Sequence, residues 1–225
     1  MTVLSIMILM VANIFQGSSA SWNIGTQKAD MNTSARAALD FMVRELACAV
    51  AGPIDKNEIG ASYFTFRQEK IDDIRFLALA NEPDASENTR AVRGVFFYLD
   101  SGEYTLRAGR KTDTSGALNC YSVDPSSPLS WSKSQTGSMM ISNVLSLQFY
   151  VYTNESALAA GIRADFIDHY QLPFCLDIAL EMLSDDDMRR FSILSGPPQD
   201  EFRARNAKIY TTRVYFPNRV GYGAR

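Results

Sequence analysis

The stretch "TSARAALDFMVRELACAVAGP", residues 33–53, determines the fold expected for the rest of the chain. Its apolar side chains recur at spacings of three and four residues, which place them on one face of a helix. Glycine and proline follow at positions 52 and 53 and favour the end of that helix. The pattern predicts a helix that ends near residue 51 and packs on a domain. Its packing face comprises Ala35, Leu39, Met42, Val43, Leu46 and Val50.

The sequence before this helix is uncharged, because no Lys, Arg, Asp or Glu precedes Lys28. An apolar run extends from Met1 to Phe15, and small or polar residues follow it. Only Gly17 and Gly25 disfavour a helix there, so residues 1–51 are expected to form one helix of about 75 Å. The first third of this helix suits lipid, and the last third suits docking on a domain.

Three interpretations of the uncharged beginning compete. A membrane anchor is one, although the apolar run rises only about 22 Å, against about 30 Å of hydrocarbon in a bilayer. A secretory signal peptide is another, because Ser18, Ser19 and Ala20 form a small-residue cleavage site, although the usual positive charges are missing. The third is that Met1 is an internal residue, and that the sequence starts within an anchor whose first half lies upstream.

After residue 53 the apolar period changes from 3.6 to 2, which is typical of strands with one buried face. Ser101 and Gly102 predict a hairpin turn. Ser184 and Asp187 have the spacing of a capping box, which predicts a short helix over residues 184–194. The fold class expected is α+β, with a long N-terminal helix packed on a mostly antiparallel β head. The predicted strands are 62–66, 73–80, 91–100, 103–108, 145–153, 173–183 and 207–216, the last of them ended by Pro217.

Composition argues against several classes of function. The formal net charge is -3, and no excess of Lys and Arg indicates a nucleic-acid partner. The cysteines Cys48, Cys120 and Cys175 are far apart and form no C-x-x-C motif, so they are expected to be small buried side chains. One disulfide with one thiol left over stays open for an oxidising compartment.

No constellation of catalytic or ligand-binding residues is found. His169 is the only histidine, and a loop histidine accounts for it. Residues 130–133 match S-x-x-K, but the other motifs of serine acylases are missing. The acidic run at 185–187 lacks the alternate spacing of a calcium loop, and helix capping explains it. We therefore predict no enzyme activity, no cofactor, no metal and no small-molecule substrate.

A family resemblance covers residues 1–52 and, more loosely, the β head. The order "MTVLSIMILMVANIFQ", "SARAALDFMVREL", "VRGVFFYLD" and "YTLRAGR" resembles type IV prepilin-like proteins, in particular the J-type minor pseudopilins of type II secretion. The pairing of "LPFCLDIALEMLSDDDMRRF" with "AKIYTTRVYFPNR" is still more similar to the C- and D-type pseudopilin-like proteins of the verrucomicrobial cassette family (Verru_Chthon). The resemblance implies a structural subunit whose partners are other pilin-like subunits and the inner membrane.

The family's processing signature, a basic leader followed by glycine, phenylalanine and glutamate, is absent from this sequence. The sequence begins with what normally follows that signature, which favours the third interpretation of Met1. We expect the gene to continue upstream in frame into such a leader.

The expected organisation has three parts. Residues 1–16 are a partial membrane anchor, residues 17–52 are the remainder of the long helix, and residues 53–225 are a periplasmic β head. The subunit is expected to be a single-pass inner-membrane protein that enters a pilus-like fibre. The alternative is a secreted β-rich binding module released by cleavage after Ala20. The residues expected to serve membrane insertion and helix assembly are Ile6, Leu9, Ala12, Asn13 and Phe15.

Overall fold

The first element is one long helix. The computed structural model describes residues 2–49, 66–83, 90–112, 137–164 and 172–216. Helix α1 is Thr2–Ala47, 46 residues without a break. It ends four residues before the predicted position, and the reason is tertiary. Ala49 forms an antiparallel bridge with Ala78, so the chain leaves the helix to pair with a strand. Gly52 and Pro53 lie outside the described residues.

The described strands form two sheets, in which every pairing is antiparallel. The first sheet has five strands in chain order, and the second has three. The first comprises β1 Phe66–Lys70, β2 Asp73–Pro83, β3 Arg90–Asp100, β4 Thr105–Thr112 and β5 Ser138–Ile141. The second comprises β6 Val144–Tyr152, β7 Cys175–Met182 and β8 Lys208–Tyr215. The short helices are α2 Glu155–Ala159, α3 Asp185–Phe191 and α4 Pro197–Asn206. The predicted α+β class is confirmed.

The turn between β3 and β4 is longer than predicted. It has four residues, 101–104, and Asp100 pairs with Thr105 across its base. Tyr104 has φ of 53°, a left-handed conformation that only a few per cent of non-glycine residues adopt. Gly102 donates its N–H to Asp100 Oδ1 at 3.2 Å, which closes the loop locally. The predicted hairpin is confirmed, but its loop is two residues longer than the gap left between the predicted strands, and the Asp100 side chain helps to close it.

The helix start predicted at Ser184 is confirmed, although only the N-cap half of the capping box forms, because Asp187 accepts from the Ser184 hydroxyl rather than from its backbone N–H. The Asp187 N–H donates to Ser184 Oγ at 3.3 Å, and the Ser184 hydroxyl donates to Asp187 Oδ2 at 2.7 Å. The helix is shorter than predicted and ends at the buried Phe191. Helices α2 and α4 and strand β5 were not predicted. The predicted strand 62–66 lies outside the described residues except for Phe66, the first residue of β1.

Buried side chains from α1 and from both sheets form one hydrophobic core. Alternate residues of β6 and β7 point into it, as the period of two predicts. Phe41 of α1 meets Phe97 of β3 edge to face, with ring centroids 6.2 Å apart. The large side chains that are almost fully buried include Phe66, Phe76, Phe96, Phe97, Phe149, Met42, Leu46, Ile74 and Leu147.

Replacing Gly109 with alanine should destabilise the head by about 1–3 kcal/mol, because the new methyl group overlaps a buried ring. A Cβ at this position would lie 1.9 Å from Cζ of Phe96, so this buried ring would have to be displaced. The matched control is Gly17→Ala in α1, where nothing lies within 4 Å and alanine should add helix stability. Denaturant unfolding of the full chain in mild detergent measures both. Equal stabilities would show that Phe96 does not cover Gly109.

Candidate functional site

The first half of α1 makes no contact that buries it. Every side chain described between Leu4 and Thr26 is exposed, including the apolar ones. Leu9 is 63% exposed and Phe15 is 74% exposed, although neither is a residue that favours water. The five residues predicted to serve membrane insertion and assembly all lie in this undocked segment, residues 4–26. Within the described part of the chain, no helix is both long enough and apolar enough to cross a membrane.

The second half of α1 is docked on the head. Of the predicted packing face, Ala35, Leu39, Met42 and Leu46 are buried in the core, and Val43 is partly buried against it. Val50 lies outside the residues whose placement is described. Met31 is also buried and was missed, because it stands alone among polar residues in "ADMNTS". The buried face of α1 therefore begins at Met31, about one helical turn before Ala35, the first residue of the predicted packing face.

A buried ionic cluster fastens the end of α1 to two strands. Glu45 accepts from Nη2 of Arg93 on β3 at 2.8 Å and from Nη2 of Arg110 on β4 at 2.6 Å. The Glu45 side chain is 8% exposed and that of Arg93 is 14% exposed. The Arg110 guanidinium also lies over the ring of Phe41, 4.9 Å from its centroid. The cluster fixes both the rotation and the position of α1 on the first sheet.

Two polar contacts hold the start of the docked half. Gln27 Nε2 donates to Asp186 Oδ2 of α3 at 2.7 Å. This hydrogen bond is the contact at which the undocked segment ends and the docked half begins. The hydroxyl of Tyr210 on β8 donates to Asn32 Oδ1. Partial burial raises the pKa of Tyr210, and the nearby Arg36 opposes that shift. A phenol is protonated at neutral pH with or without this shift, so the Tyr210 hydroxyl is a hydrogen-bond donor.

One face of the undocked segment lies in line with the solvent-exposed face of the docked half of α1. A helix turns about 100° per residue, so Phe15, Trp22, Thr33 and Asp40 lie on nearly one line along α1. All four are exposed, and they lie opposite the buried Met31 and Met42. A partner that contacts this line in the undocked segment is therefore not obstructed by the head of the same chain.

The other residues singled out in the sequence form no second site among the described residues. Cys175 is buried and Cys48 is half-buried, whereas Cys120, His169 and residues 130–133 are outside the described ranges. The acidic run at 185–187 starts α3, where the Asp187 N–H donates to the N-cap Ser184 and the Asp187 carboxylate accepts from the Ser184 hydroxyl. In the described part of the chain, no group of three or more His, Cys, Asp or Glu side chains could hold a metal ion.

No family model matches the chain, and no curated protein matches it. Among solved structures, a type IV-like pilin from Thermus thermophilus is similar, with a TM-score of 0.46 and 11% sequence identity. The alignment covers 85% of this chain and 100% of the pilin. A likeness at this TM-score says nothing of function.

Removing residues 1–26 should leave the unfolding free energy of the head unchanged, because the contacts that bury α1 begin at Gln27. Removing residues 1–49 should instead expose the core that Met42 and Leu46 cover, and the product should aggregate. Thermal unfolding and gel filtration of the two truncated proteins measure this. If the shorter deletion aggregates as badly as the longer one, the undocked segment belongs to the core.

Proposed function

We propose that this protein is a structural subunit of a type IV pilus-like or type II secretion assembly, and that it works by packing rather than by catalysis. One observation carries the proposal. A single helix is docked on a β head through its second half, while residues 4–26 project from the head with exposed Ile, Leu, Met, Val and Phe side chains. So much exposed apolar surface indicates a second environment, either lipid or the helices of neighbouring subunits.

The undocked segment lies first in lipid and later against the helices of neighbouring subunits. Before assembly, residues 1–16 serve as part of a membrane anchor that holds the subunit in the inner membrane. In the fibre, the same residues pack against neighbouring helices, and the β head, which starts after residue 52, stands in the periplasm. Ala12 and Gly17 allow close helix approach, and Asn13 can hydrogen-bond across a helix pair. The partners are other pilin-like subunits.

Cell fractionation with sequencing of the mature N-terminus tests this proposal. A subunit of this kind is retained in the membrane fraction and keeps residues 1–20 in its mature form. The secreted binding module, in contrast, is soluble and begins at Ser21, because Ser18, Ser19 and Ala20 are exposed to a signal peptidase. Recovery of a soluble product that begins at Ser21 would refute the proposal.

A further inference from the structure

A groove of about 820 Å³ separates the docked half of α1 from the edge of the first sheet. One wall is the helix, with the small side chains of Ser34, Ala37 and Ala38. The other wall is strand β5 together with residues 108–110 of β4. The small side chains of the helix wall leave space between it and the strand. Its volume falls in the range of small-molecule and peptide sites.

The wall formed by β5 presents a strand edge to the groove. Five consecutive residues, Ser138 to Ser142, line it. Successive side chains of a strand point to opposite faces, so consecutive residues can line one groove only where the groove meets the strand's edge. Among the described strands, β5 is the last of its sheet and pairs only with β4. No other described strand occupies its outer edge, so its outer backbone groups can pair with an added strand.

The charge of the groove also narrows the choice of ligand. Among the described residues that line the groove, Arg110 has the one charged side chain. The Arg110 side chain is 45% exposed, and only its Nη2 is bound to Glu45, so other guanidinium hydrogens remain for a ligand. Arg110 lies two residues beyond the pair Ala108–Ser138, at the beginning of β5. A ligand therefore meets a positive charge at that end and neutral residues elsewhere.

We propose that this groove binds an extended acidic peptide segment of a partner protein, which adds a strand to the free edge of β5. Backbone hydrogen bonds to β5 supply the affinity, and small or β-branched side chains fit against Ala37 and Ala38. Four or five residues of extended chain cover the strand, about 13–16 Å at 3.3 Å per residue. A carboxylate near Arg110 fixes the direction of the segment. This site is separate from the undocked segment and does not depend on the role proposed for it.

Peptide binding to the full chain in mild detergent tests the proposal. The probes are the fluorescein-labelled hexapeptides Val-Ser-Val-Thr-Val-Asp, the same peptide ending in Lys, and a version with Pro at the third position. The Asp peptide should bind about tenfold more tightly than the Lys peptide, as one charge-assisted contact allows. The Pro peptide, which lacks a backbone donor and breaks the ladder, should not bind. Bound Asp peptide should slow amide exchange in residues 138–142.

Two exposed alanines of α1 give a matched pair of variants. Ala37→Phe fills the groove and should abolish binding of the Asp peptide, whereas Ala29→Phe, outside the groove, should leave it unchanged. Three results would overturn the proposal: no binding by wild type, equal binding of the Pro peptide, or equal binding by the two variants. The first would mean that the groove is closed to a strand in the full chain. The second would mean that it accepts side chains without strand pairing.

Discussion

Replacing Leu9 with arginine should remove the protein from both membrane and assembly while the head stays folded. Leu9 lies in the middle of the apolar run and is exposed on the undocked segment, so no contact within the chain depends on it. An arginine near the centre of a membrane-embedded helix costs about 2.5–3.5 kcal/mol on insertion scales, which corresponds to roughly a hundredfold shift. Flotation with phospholipid vesicles and recovery in the cellular fibre fraction measure the two losses.

The control for this variant is Ile193→Arg. Ile193 follows α3 in the head and is 84% exposed, so it adds the same charge at an exposed apolar position away from α1. It should float and assemble as the wild-type protein does. Circular dichroism of the Leu9→Arg protein should show an unchanged head. If Leu9→Arg assembles normally, residues 4–26 do not carry the function proposed for them.

Replacing Glu45 with alanine should destabilise the docking of α1 by about 3–5 kcal/mol, since it leaves a buried charge without its partner. Arg93 would lose the carboxylate that accepts from it at 2.8 Å, in a position where its side chain is only 14% exposed. Arg110 is more exposed and can turn toward water, so it contributes less to the loss. Denaturant unfolding of the full chain in mild detergent measures the effect.

An ion pair with one exposed partner supplies the comparison. Glu103 of the β3–β4 turn pairs with Arg107 of β4, but the Glu103 side chain is 62% exposed, and Arg107 keeps a second carboxylate partner, Asp100, at 3.1 Å. Glu103→Ala should therefore change the unfolding free energy by less than about 1 kcal/mol. If the two variants lose equal stability, the Glu45 cluster is not a buried anchor of the helix.

Local periodicity was enough to predict the parts of the fold that depend on near neighbours. The spacing of Ala35, Leu39, Met42 and Leu46 predicted which face of α1 packs, and alternation in β6 predicted its buried face. The pair Ser184 and Asp187 predicted where α3 begins. In each case, residues within a few positions of one another determine the structure.

Features that depend on distant residues could not be predicted from local patterns. Glu45 meets arginines 48 and 65 residues away, and no spacing in the sequence indicates that meeting. The end of α1 depends on the bridge between Ala49 and Ala78. Strand β5 has four residues, too few to show a period. Helix α4 buries none of its side chains, so it has no apolar face to detect, although Pro197 after Gly196 is a typical helix start.

The groove beside β5 was missed for the same reason. Its walls come from α1, β4 and β5, which are separated along the chain, and its residues are small, apolar or hydroxyl-bearing without a motif. The undocked segment, in contrast, was visible in the sequence because an uncharged apolar run precedes a helix that already has a complete packing face. The position of the undocked segment relative to the head could not be predicted from the sequence and is known only from the structure.

Site-specific photo-cross-linking from position 15 tests the central claim most directly. Phe15 lies on the face of the undocked segment that points away from the head, so a benzoylphenylalanine there reaches a neighbouring helix without disturbing the chain's own contacts. In native membranes and fibres it should form adducts with other pilin-like subunits, and Leu9→Arg should abolish them. A probe at the exposed Tyr215 of β8 reports contacts of the head instead. Adducts from position 215 alone, with none from position 15, would contradict assembly through the undocked segment.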